Sequence, residues 1–311
     1  MSALSPELAL IVCTRDRAAR LSDTLGALGA LRARRPWELL LVDNGSRDAT
    51  RPVLAAFAGV AARAPATAGA PVAVTVIDEP RPGLTRARNA AVARTRAPIL
   101  CFTDDDCYPA SDFLDRWAEV FDDPAVGYGG GTVKLHDPAD HPITFKPYSP
   151  ADPRGPRAYV PAGLIHGANM AFRRELVLRA GGFDPDLGPG TRFNCEDVDM
   201  FARVSALGAS GGYFPAPTVA HHHRRRAGPE VEALERSYAH GWGAYRASLL
   251  LRRGARKHGV YAWLQMARET TAGLGDPRQR VHAAYELLGG ARFLAHRARR
   301  RVARALGRSA E

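Results

Sequence analysis

Short apolar runs, each followed at once by polar residues, recur along the N-terminal third of the chain and constrain its fold most. They occupy residues 8–13, 37–42, 72–77 and 99–102. Apolar runs of this length, bounded by turn residues, are typical of strands that are buried on both faces. Segments with leucine or alanine at helical spacing, such as 18–34, lie between them. This alternation predicts an α/β fold with a parallel, doubly wound sheet.

Three adjacent carboxylates, Asp104, Asp105 and Asp106, follow the fourth apolar run directly. In open α/β sheets, ligands bind outside the carboxyl ends of the strands, so the triplet marks a candidate site. Like charges this close repel each other, and a divalent cation that carries an anionic ligand neutralises them well. A solvated acidic turn before the next helix has the same sequence signature, and the triplet alone does not decide between the two.

The composition is typical of a globular protein with one large domain and an appendage. No apolar run is long enough to span a membrane, and the N-terminus lacks a charged-then-apolar signal segment. Four cysteines occur without C-x-x-C spacing, and Cys13 and Cys101 lie inside predicted strands. We therefore expect a soluble, reduced, cytoplasmic protein.

The net charge of +11 is concentrated at the C-terminal end. Residues 221–311 hold 19 Lys and Arg against 7 Asp and Glu, whereas residues 1–220 hold 24 against 25. A uniformly basic protein would indicate nucleic acid binding. This asymmetry instead indicates a weakly acidic catalytic body with a basic extension.

A series of short motifs, in order along residues 8–250, resembles the family 2 glycosyltransferases, which have the GT-A fold. Each motif is common by chance, but their order in this strand context is specific. The resemblance implies a Rossmann-like, mostly parallel sheet flanked by helices, with a C-terminal helical extension. The motifs are Cys13-Thr14-Arg15-Asp16, Val42-Asp43-Asn44-Gly45-Ser46, Gly83-Leu84-Thr85-Arg86-Ala87-Arg88-Asn89, the aspartate triplet, Gly167-Ala168-Asn169-Met170, Glu196-Asp197 and His221-His222-His223.

The resemblance implies a catalytic domain over residues 1–225 and a basic helical extension over residues 226–311. Within the domain, residues 1–110 would bind the nucleotide sugar and residues 111–225 the acceptor. Residues 136–161, rich in proline, are expected to form a loop that crosses the site. Three helical stretches are expected after His223.

The resemblance assigns most of the candidate site residues to the nucleotide sugar. Asp43 would contact the nucleotide, and Asp104 the ribose or the sugar, while Asp105 is open to either role. Of the two arginines at a helix start, the resemblance favours Arg86 for the diphosphate, and one of the pair is expected on a solvated face. The full nucleotide-sugar set is Thr14, Arg15, Asp16, Asp43, Arg86, Asp104 and Asp105.

The resemblance assigns the metal, Mg²⁺ or Mn²⁺, to Asp106. The cation would bridge both phosphates and stabilise the departing nucleoside diphosphate. Neighbours in a strand alternate faces, so His221 and His223 share a side and His222 points away. His221 is the first choice for a second metal ligand, and a basic patch continuous with residues 224–226 is the alternative for these histidines.

Glu196 and Asp197 stand at a predicted helix start, from which a carboxylate can accept a proton from an acceptor hydroxyl. The resemblance makes the second residue, Asp197, the catalytic base. Helix capping is the interpretation that the pair alone would favour. The implied reaction is inverting transfer from a nucleoside-diphosphate sugar to a hydroxyl on a saccharide, a lipid-linked glycan or a small molecule.

Two other functions fit the sequence less well. A sugar-nucleotide nucleotidyltransferase would carry a Gly-rich, Lys-bearing loop after the first strand, but residues 14–17 contain no glycine. A nucleic-acid-binding protein acting through the basic end would leave the acidic cleft unexplained, and no aromatic residue follows Arg297 to stack on bases. We expect no nucleic acid partner.

The arginine-rich end suggests peripheral contact with the inner face of the cell membrane. Basic residues near an anionic leaflet contribute about 1 kcal/mol each. Val302 and Leu306 are too few for deep insertion. The six arginines are Arg297, Arg299, Arg300, Arg301, Arg304 and Arg308.

Overall fold

The computed structural model describes residues 5–63, 68–147, 149–273 and 276–306. Over these residues the chain forms one nine-stranded sheet with helices on both faces. The strands are β1 Leu8–Thr14, β2 Trp37–Asp43, β3 Ala73–Asp78, β4 Ile99–Asp104, β5 Cys107–Pro109, β6 Tyr128–Leu135, β7 Asp152–Arg154, β8 Asn169–Arg173 and β9 Gly211–His221. The helices are α1 Leu21–Ala30, α2 Thr50–Arg63, α3 Leu84–Arg94, α4 Phe113–Val120, α5 Arg174–Arg179, α6 Glu196–Ala206, α7 Pro229–Leu251, α8 Arg256–Ala272 and α9 Pro277–Ala305.

The four strands that the apolar runs predict form the parallel half of the sheet, in the order β3-β2-β1-β4. Their carboxyl ends lie in register, since Thr14 is opposite Asp43 and Cys13 is opposite Asp104. The parallel α/β arrangement is therefore confirmed for this half. It brings the ends of three motifs to one edge of the sheet.

The other half of the sheet makes it mixed as a whole. β8 pairs antiparallel with both β4 and β6, and β5 and β7 pair antiparallel with β9. At the triplet the chain turns directly from β4 into β5 without a crossover helix, and β5 pairs with β9 rather than with β4. Parallel pairing needs a long crossover connection, and β6 and β9, which β7, β8, α5 and α6 separate in the chain, pair parallel in this half. Among the described residues of the expected loop over 136–161, the short strand β7 is the one regular element.

The core lies on both faces of the sheet, as the continuous apolar runs predict. Ile11 and Leu40 pack into one cluster with α3, α6 and α7, and their neighbours Leu10 and Leu39 pack into the other with α1 and α4. Successive residues of a strand point to opposite faces, so each strand contributes side chains to both core clusters.

The helix predicted over residues 18–34 is shorter than expected. A 3-10 turn at Ala18–Arg20 leads into α1, which ends at Ala30. Leu31 is extended and buried, and the Ala33 N–H donates to the carbonyl of Gly69 at 2.9 Å. Burial and this long-range hydrogen bond outweigh the helical preference of the last turn.

The C-terminal helices pack tightly on one another through glycines. A Cβ on Gly243 of α7 would lie 1.8 Å from the carbonyl oxygen of Glu286 in α9. A Cβ on Gly289 would lie 1.9 Å from the carbonyl oxygen of His240. Close approach brings the buried Glu286 carboxylate within 2.6 Å of the Arg246 guanidinium. None of the helices over the described residues is long and apolar enough to cross a bilayer.

We predict that Gly243→Ala lowers the free energy of unfolding by about 1–3 kcal/mol, because the added methyl group has no space at this crossing. Urea denaturation measures the loss. Gly254→Ala is the matched control, since a Cβ there meets no atom within 4 Å. Equal stability of the two variants would contradict the packing described for α7 and α9.

Candidate active site

A cleft of about 870 Å³ opens at the carboxyl edge of β1 and β4. Three groups of residues line it: the strand ends and the start of α3, the two segments 163–168 and 185–198, and side chains of α7 and α9. The residues that carry the argument below are Thr14, Arg86, Arg88, Asp104, Asp105, Asp106, Gly167, Glu196, Asp197, His221, Tyr238, Trp242 and His296.

Arg88 lies between two carboxylates of the cleft. Its side chain is only 3% exposed, with one guanidinium nitrogen 3.0 Å from Glu196 Oε1 and the other 3.7 Å from Asp104 Oδ1. Burial raises the pKa of Glu196 to about 7, the charge of Asp197 adds to the rise, and Arg88 opposes it. Arg88 thus holds together carboxylates that would otherwise repel each other.

Asp105 is held by residues at the start of the chain. Its Oδ2 accepts a hydrogen bond from the Thr14 hydroxyl at 2.5 Å and lies 3.6 Å from Arg17 Nε. Its carbonyl oxygen accepts from the Thr24 hydroxyl at 2.6 Å. Burial raises the pKa of Asp105 to about 6, against the opposing effects of Thr14 and Arg17. The middle carboxylate of the triplet is therefore bound to β1 and the turn that follows it.

Asp106 and His221 form a donor pair that suits a divalent cation. Asp106 Oδ1 lies 3.1 Å from His221 Nε2, and the Thr144 hydroxyl lies 3.2 Å from His221 Nδ1. Burial lowers the pKa of His221, but the hydrogen bond with Asp106 and the charges of Asp106 and Asp104 outweigh it and raise that pKa. A carboxylate and an oriented imidazole are ligands that Mg²⁺ and Mn²⁺ sites use.

Cys107 also offers an atom within 4.8 Å of the Asp106 and His221 donors. Burial raises the pKa of its thiol well above the ordinary value. Hard cations prefer oxygen to a protonated thiol, so the residues fit an oxygen- and nitrogen-bound metal better than a thiolate-bound one.

The histidine triplet alternates faces as predicted. The ring centroids of His221 and His223 lie 5.1 Å apart on one side of the strand end. The ring of His222 shares a hydrogen bond of 3.0 Å between its Nδ1 and the Tyr108 hydroxyl. His223 lies 3.9 Å from the buried carboxylate of Asp140. Only His221 of the three lines the cleft.

Asp197 lies in the first turn of α6 and faces the cleft. Its Oδ2 accepts a hydrogen bond from the Gly167 N–H at 2.9 Å. The ion pairs that stabilise the helix are made by the fully buried Asp199, which binds Arg203 at 2.7 Å and also contacts Arg252. Asp197 makes neither of these ion pairs, and its carboxylate lines the cleft.

The residues that the resemblance assigns to the nucleotide sugar divide into two groups. Thr14, Arg15, Arg86, Asp104 and Asp105 line the cleft. Asp43 is buried and accepts from the Ser46 N–H at 3.2 Å, and Asp16 accepts from the Arg47 N–H at 2.7 Å. These two carboxylates are not among the described residues that line the cleft. Their nucleotide contacts stay predictions.

Several residues of the site could not be identified from the sequence. Arg88 is buried rather than solvated, so both arginines of the pair line the cleft. Its spacing from the buried Thr85 and Val92 on one face of α3 is the signal that was available. Asn44 was missed too: its amide donates to the Arg81 carbonyl at 2.9 Å and its oxygen accepts from the Gly83 N–H at 2.8 Å. These bonds position the start of α3.

Four further cleft residues, which the sequence did not reveal, come from segments distant in the chain. His166 lines the cleft, and burial lowers its pKa although the charge of Asp197 opposes that shift. Tyr238 and Trp242 of α7 and His296 of α9 also line it. No local pattern predicts which helix of the extension reaches the cleft, because the contact is made between residues far apart in the chain.

We predict that Arg88→Gln lowers the free energy of unfolding by about 3 kcal/mol, because it leaves buried carboxylates without a cation. Arg88 lowers the pKa of Glu196, so its loss moves that pKa further above the value in the unfolded chain. A carboxyl with a raised pKa destabilises the folded state once the pH exceeds that of the unfolded group, and more so the higher the pKa. The stability deficit of the variant against wild type should therefore be larger at pH 8.5 than at pH 6.

Urea denaturation at these two pH values measures the effect. Arg94→Gln, at an exposed position in the last turn of α3, is the control and should change little. A pH-independent deficit in Arg88→Gln would contradict the coupling to Glu196.

The comparisons with known proteins agree on one family and one fold. The sequence model described as Glycosyl transferase family 2 matches residues 9–179. The glycosyltransferase AglE of Haloferax volcanii is 24% identical over 211 residues, which cover 68% of this chain and 65% of AglE. The chain thus spans slightly less than two thirds of the length of this curated relative.

Solved structures give the same result for the fold. The mannosyltransferase PcManGT from Pyrobaculum calidifontis, in complex with GDP-Man and Mn²⁺, matches with a TM-score of 0.62 at 20% identity, over 93% of this chain and 87% of that chain. TarS 1-349 of S. aureus, in complex with UDP-GlcNAc, matches with a TM-score of 0.57 at 13% identity, over 81% and 69%. With more than half of its residues matched by the family model, the chain belongs to glycosyl transferase family 2 and has the GT-A fold.

Proposed function

We propose that this glycosyltransferase is metal-dependent and inverting, and that it transfers a sugar from a nucleoside-diphosphate sugar to a hydroxyl acceptor. The observation that carries the proposal is one cleft lined on one side by the Asp106 and His221 donor pair and on another by Asp197. PcManGT, with its bound GDP-Man and Mn²⁺, and TarS, with its bound UDP-GlcNAc, support a nucleotide-sugar donor.

The donor would lie between the strand ends and the start of α3. Asp106 and His221 would hold Mg²⁺ or Mn²⁺, which when bound neutralises the diphosphate and favours its departure. Arg86 lines the same cleft at the N-terminus of α3, where its guanidinium and the helix dipole both attract phosphate. Asp104 would bind the ribose or the sugar, and Asp105 supports the adjoining wall through Thr14.

Asp197 would act as the base for a single displacement. Its carboxylate accepts the proton of the acceptor hydroxyl while that oxygen bonds to the anomeric carbon, and the bond from this carbon to the phosphate oxygen breaks on the opposite face. The Gly167 N–H bonded to Oδ2 orients the carboxylate. Attack opposite to the leaving group inverts the anomeric configuration.

Asp197→Asn is expected to lower the transfer rate by about two to four orders of magnitude, because an amide cannot accept the proton. Nucleotide affinity, measured by calorimetry with Mn²⁺, should stay at the wild-type value. Glu175→Gln, an exposed carboxylate in the first turn of α5, is the control. Near-normal turnover in Asp197→Asn, or retained anomeric configuration in the product by NMR, would overturn this assignment.

Asp106→Ala should weaken Mn²⁺-dependent nucleotide binding far more than Asp105→Ala, because Asp106 pairs with His221 whereas Asp105 is bound to Thr14 and Arg17. Titration of UDP and GDP with and without Mn²⁺ compares the variants. A thermal-shift panel of UDP-, GDP- and dTDP-sugars first identifies the donor. Equal losses in both variants, or full activity in excess EDTA, would count against a metal at Asp106.

The acceptor is proposed to be a saccharide or a lipid-linked glycan that enters beside α7. Tyr238 and Trp242 are partly exposed and line the cleft. Aromatic faces offer apolar contact area with a polar edge, which suits the mixed surface of a sugar ring.

Contact between the basic end and an anionic membrane is also proposed, with fewer arginines than expected. Arg297 binds Asp184 and Asp186, and Arg300 binds Asp186. Their charges are thus already partly neutralised. Arg299, Arg301 and Arg304 are exposed, and Arg308 lies outside the described residues.

A further inference from the structure

The outward face of α9 is an apolar stripe. With 100° between successive residues, the exposed apolar positions from 284 to 306 fall within about 120° of the helix surface and along about 33 Å of its length. The large members are Leu287, Leu288, Leu294, Val302 and Leu306, which are 39–64% exposed. Exposed alanines, among them Ala291, Ala295 and Ala298, occupy positions between them. We call this surface the α9 stripe.

Positive charge borders the stripe, and negative charge is absent from it. By the same helical geometry, Arg292 and Arg299 lie along one edge and Arg301 along the other, and all three are exposed. Glu286 is the single acidic residue from 277 to 306, and it is buried against Arg246. An apolar face with basic edges is the pattern of helices that lie in the interface of an anionic bilayer.

We propose that α9 binds an anionic lipid surface through this stripe, with the leucines among the acyl chains and the arginines at the head groups. This differs from contact through charge alone, because the apolar side chains carry part of the binding. A second copy of the chain is the less suitable occupant. Two stripes face to face would bring arginines opposite arginines, with no exposed carboxylate on either helix from 277 to 306 to pair with them.

The inward face of the same helix ties the stripe to the cleft. His296 lines the cleft together with Asp186, and Arg297 and Arg300 bind the Asp184–Asp186 segment that leads toward Glu196 and Asp197. A helix with its side chains is about 10 Å across, so the cleft wall would lie about that far from the lipid. This step rests on the proposed function: it favours an acceptor hydroxyl carried by a lipid at that surface.

Flotation of the full-length protein with vesicles tests the proposal without any activity measurement. Wild type should bind vesicles of phosphatidylglycerol and phosphatidylcholine and bind pure phosphatidylcholine more weakly. The double variant Leu287→Glu with Leu294→Glu should lose at least about tenfold in affinity for the anionic vesicles. Val60→Glu is the control, since Val60 is 64% exposed on α2, and it should bind as wild type does.

Salt separates the stripe from a purely electrostatic contact. At about 1 M salt the Debye length is about 3 Å, so binding through arginines alone would disappear, whereas binding through the stripe should persist in part. Complete loss at high salt, or unchanged binding of the leucine variant, would overturn the proposal. Circular dichroism and Mn²⁺-dependent nucleotide binding show whether the variant is folded and whether the proposed function holds independently.

Light scattering after gel filtration tests the other occupant. Wild type is expected to show no self-association that depends on Leu287 and Leu294. A dimer that the double variant dissociates, without binding of wild type to vesicles, would assign the stripe to a second copy and overturn the lipid proposal.

Discussion

The guanidinium of Arg88 lies between Asp104 at the end of β4 and Glu196 at the start of α6, and it is almost fully buried there. Carboxylates from two distant segments could not share one wall of a cleft without such a cation, because their desolvation and mutual repulsion would separate the segments. Arg88 comes from α3, whose start Asn44 fixes through Gly83. The acidic wall therefore depends on how α3 is positioned by the strand ends.

The triplet consists of three identical side chains, and the residues that each one contacts give the three carboxylates different properties. Asp104 lies near Arg88, Asp105 is hydrogen-bonded to Thr14, and Asp106 is paired with His221. Burial raises the pKa of Asp105. The pKa of Asp106 is lowered, although burial acts in the opposite direction. For Asp106 the hydrogen bond and charge of His221 outweigh burial. The three carboxylates of one triplet therefore differ in how readily each is ionised.

The parallel half of the sheet and its polar edge could be predicted from the sequence, because strand burial and strand ends are local features. The triplet and residues 8–14 carry that information directly. The mixed half could not, since the pairing of β8 between β4 and β6 depends on contacts between distant segments. The burial of Arg88 was missed for a related reason. Local spacing places it on the buried face of α3, but only the fold supplies the carboxylates that make its burial favourable.

The distribution of charge on α9 follows from what each face meets. On the inward face, Arg297 and Arg300 bind carboxylates of the segment beside the cleft, so these cations are needed for packing. On the outward face, no acidic residue of α9 lies beside Arg292, Arg299 and Arg301, and the leucines between them are exposed to water. A helix exposed to water alone gains nothing from such leucines. The arginines of α9 thus fall into two groups. Arg297 and Arg300 hold the cleft wall, whereas Arg292, Arg299 and Arg301 are placed to meet an anionic surface outside the protein.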